Sequence, residues 1–285
     1  MNDLTDKQIL TWTKKLVKVV KDSSKIYLNK NFEELVEKHK FENDDVTNLD
    51  VKTQDFLEKK CLRIFKTCNF IGEEKQTPSE SLISVIIDPI DGTYNFKHNI
   101  KNFGTQVCVL FKETPIISVL YLPNENKVYC ANKFGAFENG KKITVSNCDN
   151  FKDAVVELGD FSTKLNFREQ QQYVKILSET FKRVRINGSS CMDACLLARG
   201  SVDLYILYTI NPWDKVPGQY LIKQAGGTIV ANKENNTFIA GNENLVNKAI
   251  KLLNFEWFFK KIVKFIKNGK TRLFRLFFVF VPILV

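Results

Sequence analysis

The hydrophobic period of the chain changes near residue 82. Before it, apolar positions recur at helical spacing among lysines and glutamates. Leu16, Val19 and Val20, then Leu35 and Val36, predict helix over residues 4–39. The polar stretch FENDDVTNLD at 41–50 reads as an irregular link. VKTQDFLEKKCLRIFKTC at 51–68 predicts a second helix, with Phe56, Leu57, Cys61, Ile64 and Phe65 on its apolar side. NFIGEE follows as a short strand ending in two acids. Beyond residue 82, SLISVIID, GTQVCVLFKE, TPIISVLYLP, KVYCANKF and GAFENGKKITV read as successive strands separated by Gly, Pro and Asn. After residue 150, strands (AVVELG, KRVRIN, VDLYILY, TIVAN) alternate with helices (FREQQQYVKILSETF, SCMDACLLARG, WDKVPGQYLIKQAG). Layered sheets and helices of α/β or α+β type are expected. The organisation is an N-terminal half at 1–145, a C-terminal half at 146–250 and a tail at 251–285.

Composition adds little to this. With 285 residues, 44% hydrophobic and 26% charged, the chain has room for a proper core. The net charge of +10 sits largely in the tail, where Lys260, Lys261, Lys264, Lys267, Lys270, Arg272 and Arg275 face Glu256 alone. Nucleic-acid binding by the body is therefore not expected. Seven cysteines, an odd number without a CxxC pair, read as buried small hydrophobes. Cys191 and Cys195, four apart in a helix-like stretch, are read the same way. The N-terminus is amphipathic rather than secretory, which points to a reducing cytoplasm.

Acids gather at four points. DPIDGTYNF at 88–96 places two carboxylates three residues apart at the end of the most apolar run. Glu73 and Glu74 follow NFIG, Asp50 ends DDVTNLD, and Asp214 follows Trp213. Singly, each has an ordinary structural reading: a helix cap for Asp91 or Asp214, a loop for the glutamates, a turn for Asp50. Together they are hard oxygen ligands suited to Mg²⁺ or Mn²⁺. Gly92 admits a close backbone approach, and the amides of Gly92 and Thr93 would form an anion site if they open a helix. Acids that hold a metal beside such amides point to metal-assisted transfer of a phosphoryl group to water.

GEE at 72–74, DPIDGTYNF at 88–96 and PWDKVPGQYLIKQAGG at 212–227 resemble, in order, the three signatures of the inositol-monophosphatase-like phosphatases. DDVTNLD at 44–50 is similar to the family's upstream element, and the resemblance covers roughly residues 5–250. It implies an α-β-α-β-α sandwich and a lithium-sensitive, Mg²⁺-dependent enzyme with two to three ions. Glu73, Asp88 and the Ile90 carbonyl would hold the first ion, and Asp88, Asp91 and Asp214 the second. A third would lean on Glu73. Thr93, bonded to Asp50, would orient the attacking water. Asp91, Gly92, Thr93, Gly188, Ser189 and Ser190 would meet the substrate. A homodimer is also implied.

Two positions depart from the family pattern. Where inositol phosphatases place an inositol-contacting glutamate, seven residues before the W-D aspartate, this chain has Leu207. A leucine accepts no hydrogen bond from a polyol. Pro217 replaces part of an alanine-rich continuation and is expected in a first helical turn. His39 and His98, the only histidines, are read as surface or core residues. The leading expectation is a phosphatase for a small sugar or polyol phosphate. The alternatives are a 3′(2′),5′-bisphosphate nucleotidase and a non-catalytic RNA- or protein-binding regulator on the same fold. Lys260, Lys264 and Lys267 oppose Phe258, Ile262 and Phe265 in the tail, a pattern suited to lying on an anionic membrane surface. LFFVFVPILV is too short to span one.

Overall fold

Helix α1 (Asp6–Ser23) starts at a capping box. The Thr5 N–H donates to Gln8 Oε1 at 2.9 Å, and the Gln8 N–H donates to Thr5 Oγ1 at 3.3 Å. A single turn, α2 (Lys25–Leu28), follows. The helix expected through residue 39 has ended by then: Glu37–Phe41 is strand β1, antiparallel to β2 (Asp44–Thr47). EKHKF offers a helix no apolar stripe, so strand pairing decides its conformation. The expected link at 41–50 is likewise structured, because α3 (Asn48–Phe65) already begins inside it. In the computed structural model every residue is described except 1–3, 29–36, 42–43, 161–166, 233–235 and 254–285.

The chain divides into two compact units, Met1–Val246 and Asn247–Val285. In the second, residues 247–253 are helical. The basic tail segment read as membrane-facing lies outside the described residues.

The first unit holds an eight-stranded sheet built from β3 (Asn69–Gly72), β4 (Gln76–Thr77), β5 (Ile83–Asp91), β6 (Gly104–Phe111), β7 (Thr114–Leu122), β8 (Lys127–Asn132), β9 (Gly135–Glu138) and β10 (Lys141–Ile143). Its order is β10-β9-β8-β7-β6-β5-β3-β4, and only β3–β5 pairs in parallel. GAFENGKKITV is a hairpin rather than one strand. Asn139 and Gly140 both take positive φ, 47° and 81°, the backbone an Asn-Gly two-residue turn requires. A five-stranded sheet follows, from β11 (Val155–Leu158), β12 (Arg183–Arg185), β13 (Leu204–Tyr208), β14 (Thr228–Asn232) and β15 (Thr237–Gly241), in the order β12-β11-β13-β15-β14.

Side-chain alternation sorts these sheets into layers. Val85, Ile87, Val107 and Val109 of the large sheet pack with Leu16 of α1 and Leu57 and Cys61 of α3. Leu120 and Leu122 of β7 join a second core with α6 (Ser190–Ala198), α7 (Pro212–Gln224) and Tyr205 and Leu207 of β13. Tyr208, next along β13, points the other way and meets the ring of Tyr173 from α5 (Phe167–Thr180) at 5.7 Å. The result is the α-β-α-β-α sandwich. Cys191 and Cys195 are buried in its middle layer.

Pro217 lies inside α7, beyond the first turn where it was expected. It removes the N–H that would bond the carbonyl four residues back. Tight packing holds the segment: the buried Ser118 hydroxyl donates to the Pro217 carbonyl at 2.8 Å. At Gly218 an added Cβ would fall 2.7 Å from Ala194 of α6.

Candidate active site

Strand β5 does not stop before its acids but runs through them to Asp91. Asp88 pairs with Gln106 and Asp91 with Gly104, so three steps on β5 match two on β6. That extra residue is a bulge, and Pro89, with no N–H to give the ladder, sits in it. Residues three apart on a regular strand face opposite ways; the bulge absorbs the odd residue. The Asp88 and Asp91 carboxylates thereby gather with that of Asp214, with ligand oxygens within 4.8 Å of one another.

The three acids are held differently. Asp88 is buried; its Oδ2 accepts from Gln106 Nε2 at 3.3 Å, and its Oδ1 meets no hydrogen-bond donor among the described residues. Burial pushes its carboxyl well above the ordinary range, and Glu73, Asp91 and Asp214 add their repulsion. Asp91 caps α6. It accepts from the Ser189 hydroxyl, from Ser190 N at 3.2 Å and Oγ at 2.7 Å, and from Cys191 N at 2.8 Å. Burial raises it too, against those bonds. Asp214 stands in the first turn of α7, where Oδ2 accepts from Thr209 Oγ1 at 2.8 Å and Asn211 Nδ2 at 3.1 Å. Glu73 lies in the β3–β4 loop, its N–H donating to the Ile87 carbonyl at 3.1 Å. Clustered acids, Asp88 and Asp91 buried and Asp214 half-buried, fit a divalent cation: they supply hard ligands, and a dication cancels the repulsion.

Asp50 lies in the first turn of α3, not in a turn between elements. Thr47 caps that helix, and its N–H donates to Asp50 Oδ2 at 2.9 Å, with a short bond from its hydroxyl to the same oxygen. Asp50 is buried, and desolvation pushes it up to about 6. The Thr93 hydroxyl stands 3.4 Å from Asp50 Oδ1 and 2.9 Å from the Ile90 carbonyl. Gly92 caps the short helix α4 (Thr93–Lys97) at φ 84°, and a Cβ there would lie 3.0 Å from the Asn102 carbonyl and 3.1 Å from that of Gly188. Glycine is required on both counts. Gly188 is thus at the site, while the Ser189 and Ser190 hydroxyls are turned onto Asp91.

Several supporting residues escape a reading by acid clusters. Asn95 Nδ2 donates to the carbonyls of Asn102, Asn187 and Gly188 at 2.7, 2.8 and 3.2 Å, tying α4 to the loop before α6. Gln106 Nε2 joins Ser190 Oγ, at 2.9 Å, to Asp88. Tyr27 is bonded to Thr105 Oγ1 at 2.8 Å, and that hydroxyl donates to the Pro89 carbonyl at 2.8 Å. A polar residue inside an apolar strand, as in GTQVCVLF, is the signal that could have found Gln106. Leu207 is 6% exposed and belongs to the core between the sheets. Its side chain lies where a Cβ on Gly159 would go, at 2.4 Å.

The layered α/β fold thus surrounds a cluster of acids suited to a divalent cation. The chain belongs to the inositol monophosphatase family, whose profile matches residues 5–264. A fructose-1,6-bisphosphatase/inositol-1-monophosphatase of Thermotoga maritima is 30% identical over 77% of this chain and 86% of its own. The Nus factor SuhB of Vibrio cholerae is 28% identical over 70% and 76%. The solved structure of an IMPase/NADP phosphatase complexed with Mg²⁺ and phosphate is 22% identical. It shares the fold at a TM-score of 0.69, over 87% of this chain and 94% of that one.

Proposed function

We propose that this protein is a Mg²⁺-dependent phosphatase that hydrolyses a small sugar or polyol phosphate monoester. The observation that carries the reading is Asp88, a buried carboxylate with one oxygen that no donor among the described residues meets, gathered with Asp91 and Asp214 so that their ligand oxygens lie within 4.8 Å. Glu73, Asp88, the Ile90 carbonyl, Asp91 and Asp214 would hold two to three Mg²⁺. An ion held by these residues would supply a coordinated water of lowered pKa and positive charge for the leaving oxygen. The protein's own groups do the rest. Above about pH 6 Asp50 is ionised and accepts from the Thr93 hydroxyl. That bond fixes the Thr93 oxygen as the acceptor for a proton of the attacking water. The amides at the start of α4 would meet phosphate oxygens. Leu207, packed in the core, offers no carboxylate at this position to ring hydroxyls, which argues against inositol 1-phosphate itself as the preferred substrate.

Phosphate release is measured on inositol 1-phosphate, fructose 1,6-bisphosphate, 3′-phosphoadenosine 5′-phosphate and glycerol 2-phosphate, with Mg²⁺ and with added Li⁺. Mg²⁺-dependent turnover that Li⁺ suppresses is the expected result. The Vibrio cholerae relative named as a Nus factor favours one second reading, a regulator that binds a partner without turnover. A folded, Mg²⁺-binding protein with no activity on any substrate would favour that reading instead.

A further inference from the structure

Gln54 stands on α3 one turn beyond Asp50 and on the same face. It is fully buried, and both ends of its amide are engaged. Oε1 accepts from the Glu74 N–H at 3.0 Å; Nε2 donates to the Lys75 carbonyl at 2.9 Å and to Glu58 Oε1 at 2.8 Å. Gly72 makes room for it, since a Cβ there would fall 2.2 Å from Gln54 Nε2. Lys75 Nζ adds ion pairs from the same loop to Asp55 and, at 3.3 Å, to Glu58 on α3. Glu73 lies between Gly72 and Glu74, with its own N–H on the Ile87 carbonyl of β5. The loop that carries Glu73 is clamped on one side to α3 and on the other to β5.

We infer that Gln54 is a positioning residue that sets where the Glu73 carboxylate stands relative to Asp88, and so sets the Mg²⁺ affinity of the site. This rests on the proposed function. A buried primary amide is costly unless its partners are in place, so its contacts fix the loop rather than follow it. Helix α3 then serves the site twice: Asp50 reaches Thr93, and Gln54 reaches the backbone beside Glu73.

The test is Mg²⁺ titration by calorimetry of the metal-stripped full chain, with Tm without Mg²⁺ and the Mg²⁺ dependence of kcat measured alongside. Gln54→Met keeps the length and loses every hydrogen bond. Its Mg²⁺ dissociation constant is expected to rise about tenfold, as when a residue supporting a metal ligand is removed. The Mg²⁺ needed for half-maximal rate should rise equally, with kcat at saturating Mg²⁺ preserved. Gln54→Glu keeps the acceptor for the Glu74 N–H but sets a carboxylate oxygen against the Lys75 carbonyl and Glu58 Oε1, and should raise the dissociation constant as well. A merely structural role would lower Tm and leave the dissociation constant of both folded variants unchanged, which overturns the inference. If the methionine variant does not fold, the glutamate variant decides by the same readout. A wild-type protein that binds no Mg²⁺ overturns this inference and the proposed function together. A wild type that binds it, with variants that bind equally well, overturns this inference alone.

Discussion

Asp88, Asp91 and the half-buried Asp214 form one group of acids in this fold; Glu157 and Asp193 form another. Glu157, on β11, and Asp193, in α6, are as deeply buried as Asp88. Between them lies a neutral donor: Asn187 Nδ2 reaches Glu157 Oε2 at 2.9 Å and Asp193 Oδ1 at 2.8 Å. Burial pushes both carboxyls up, and Glu157 raises Asp193 further, while Arg185 eases Glu157. In the first group the Gln106 amide reaches Asp88 alone among the three acids, and one oxygen of Asp88 meets no donor among the described residues. Acids bridged by a fixed amide hold the fold together; acids that face one another across a gap hold a cation.

The largest expected effect separates the two groups by activity. Asp88→Asn should lower phosphate release by about 10³-fold, the scale of losing a preorganised electrostatic group. The same change should raise the Tm of the Mg²⁺-free protein, because it removes a buried charge repelled by three neighbours. Asp193→Asn keeps an oxygen for the Asn187 amide and should leave activity near wild type. Equal losses in the two variants would break the comparison.

Mg²⁺ itself comes next. At a hundredfold excess over its dissociation constant it should stabilise the protein by about 2.7 kcal/mol, read from urea midpoints with and without chelator. Asp88, Asp91, Glu157 and Asp193 all have folded pKa values above their unfolded ones. The native state therefore binds extra protons, and the Mg²⁺-free protein should lose stability as pH rises from about 4. With Mg²⁺ present, Asp88 and Asp91 leave that balance while Glu157 and Asp193 remain. The difference between the two pH curves isolates the first group. A Mg²⁺ effect that does not grow with pH would contradict the assignment.

Asp193→Ala tests the second group directly. It strands one Asn187 N–H in the interior, which costs about 1–3 kcal/mol of stability. Calorimetric Mg²⁺ affinity should stay unchanged.

How far the sequence could be read follows the same division. The sandwich was legible through the resemblance of the three motifs to the family's signatures, and the acids of DPID because a strand ending in paired carboxylates stands out against an apolar run. The Glu157–Asp193 group was not. ELG and SCMDACLL read as ordinary strand and helix, and only the tertiary fold brings Asn187 between them. Register was also hidden: the bulge at Pro89 depends on pairing with β6, which no local pattern records. EKHKF and DDVT carry too little hydrophobic contrast to reveal a hairpin.

The smallest expected effect concerns Thr47, which links the helix cap of α3 to the acid that serves Thr93. Thr47→Ala removes the side-chain cap, at about 1 kcal/mol. It also removes one of the hydrogen bonds that hold the Asp50 carboxyl down against desolvation. Asp50 then titrates higher than its value of about 6. If ionised Asp50 is needed to accept from Thr93, the acidic limb of the kcat/KM profile moves to higher pH. The plateau rate at high pH is unchanged, since Asp50 is ionised there in both proteins. An acidic limb that stays in place while Tm falls would show that Thr47 serves only the helix, and that a group other than Asp50 sets the limb.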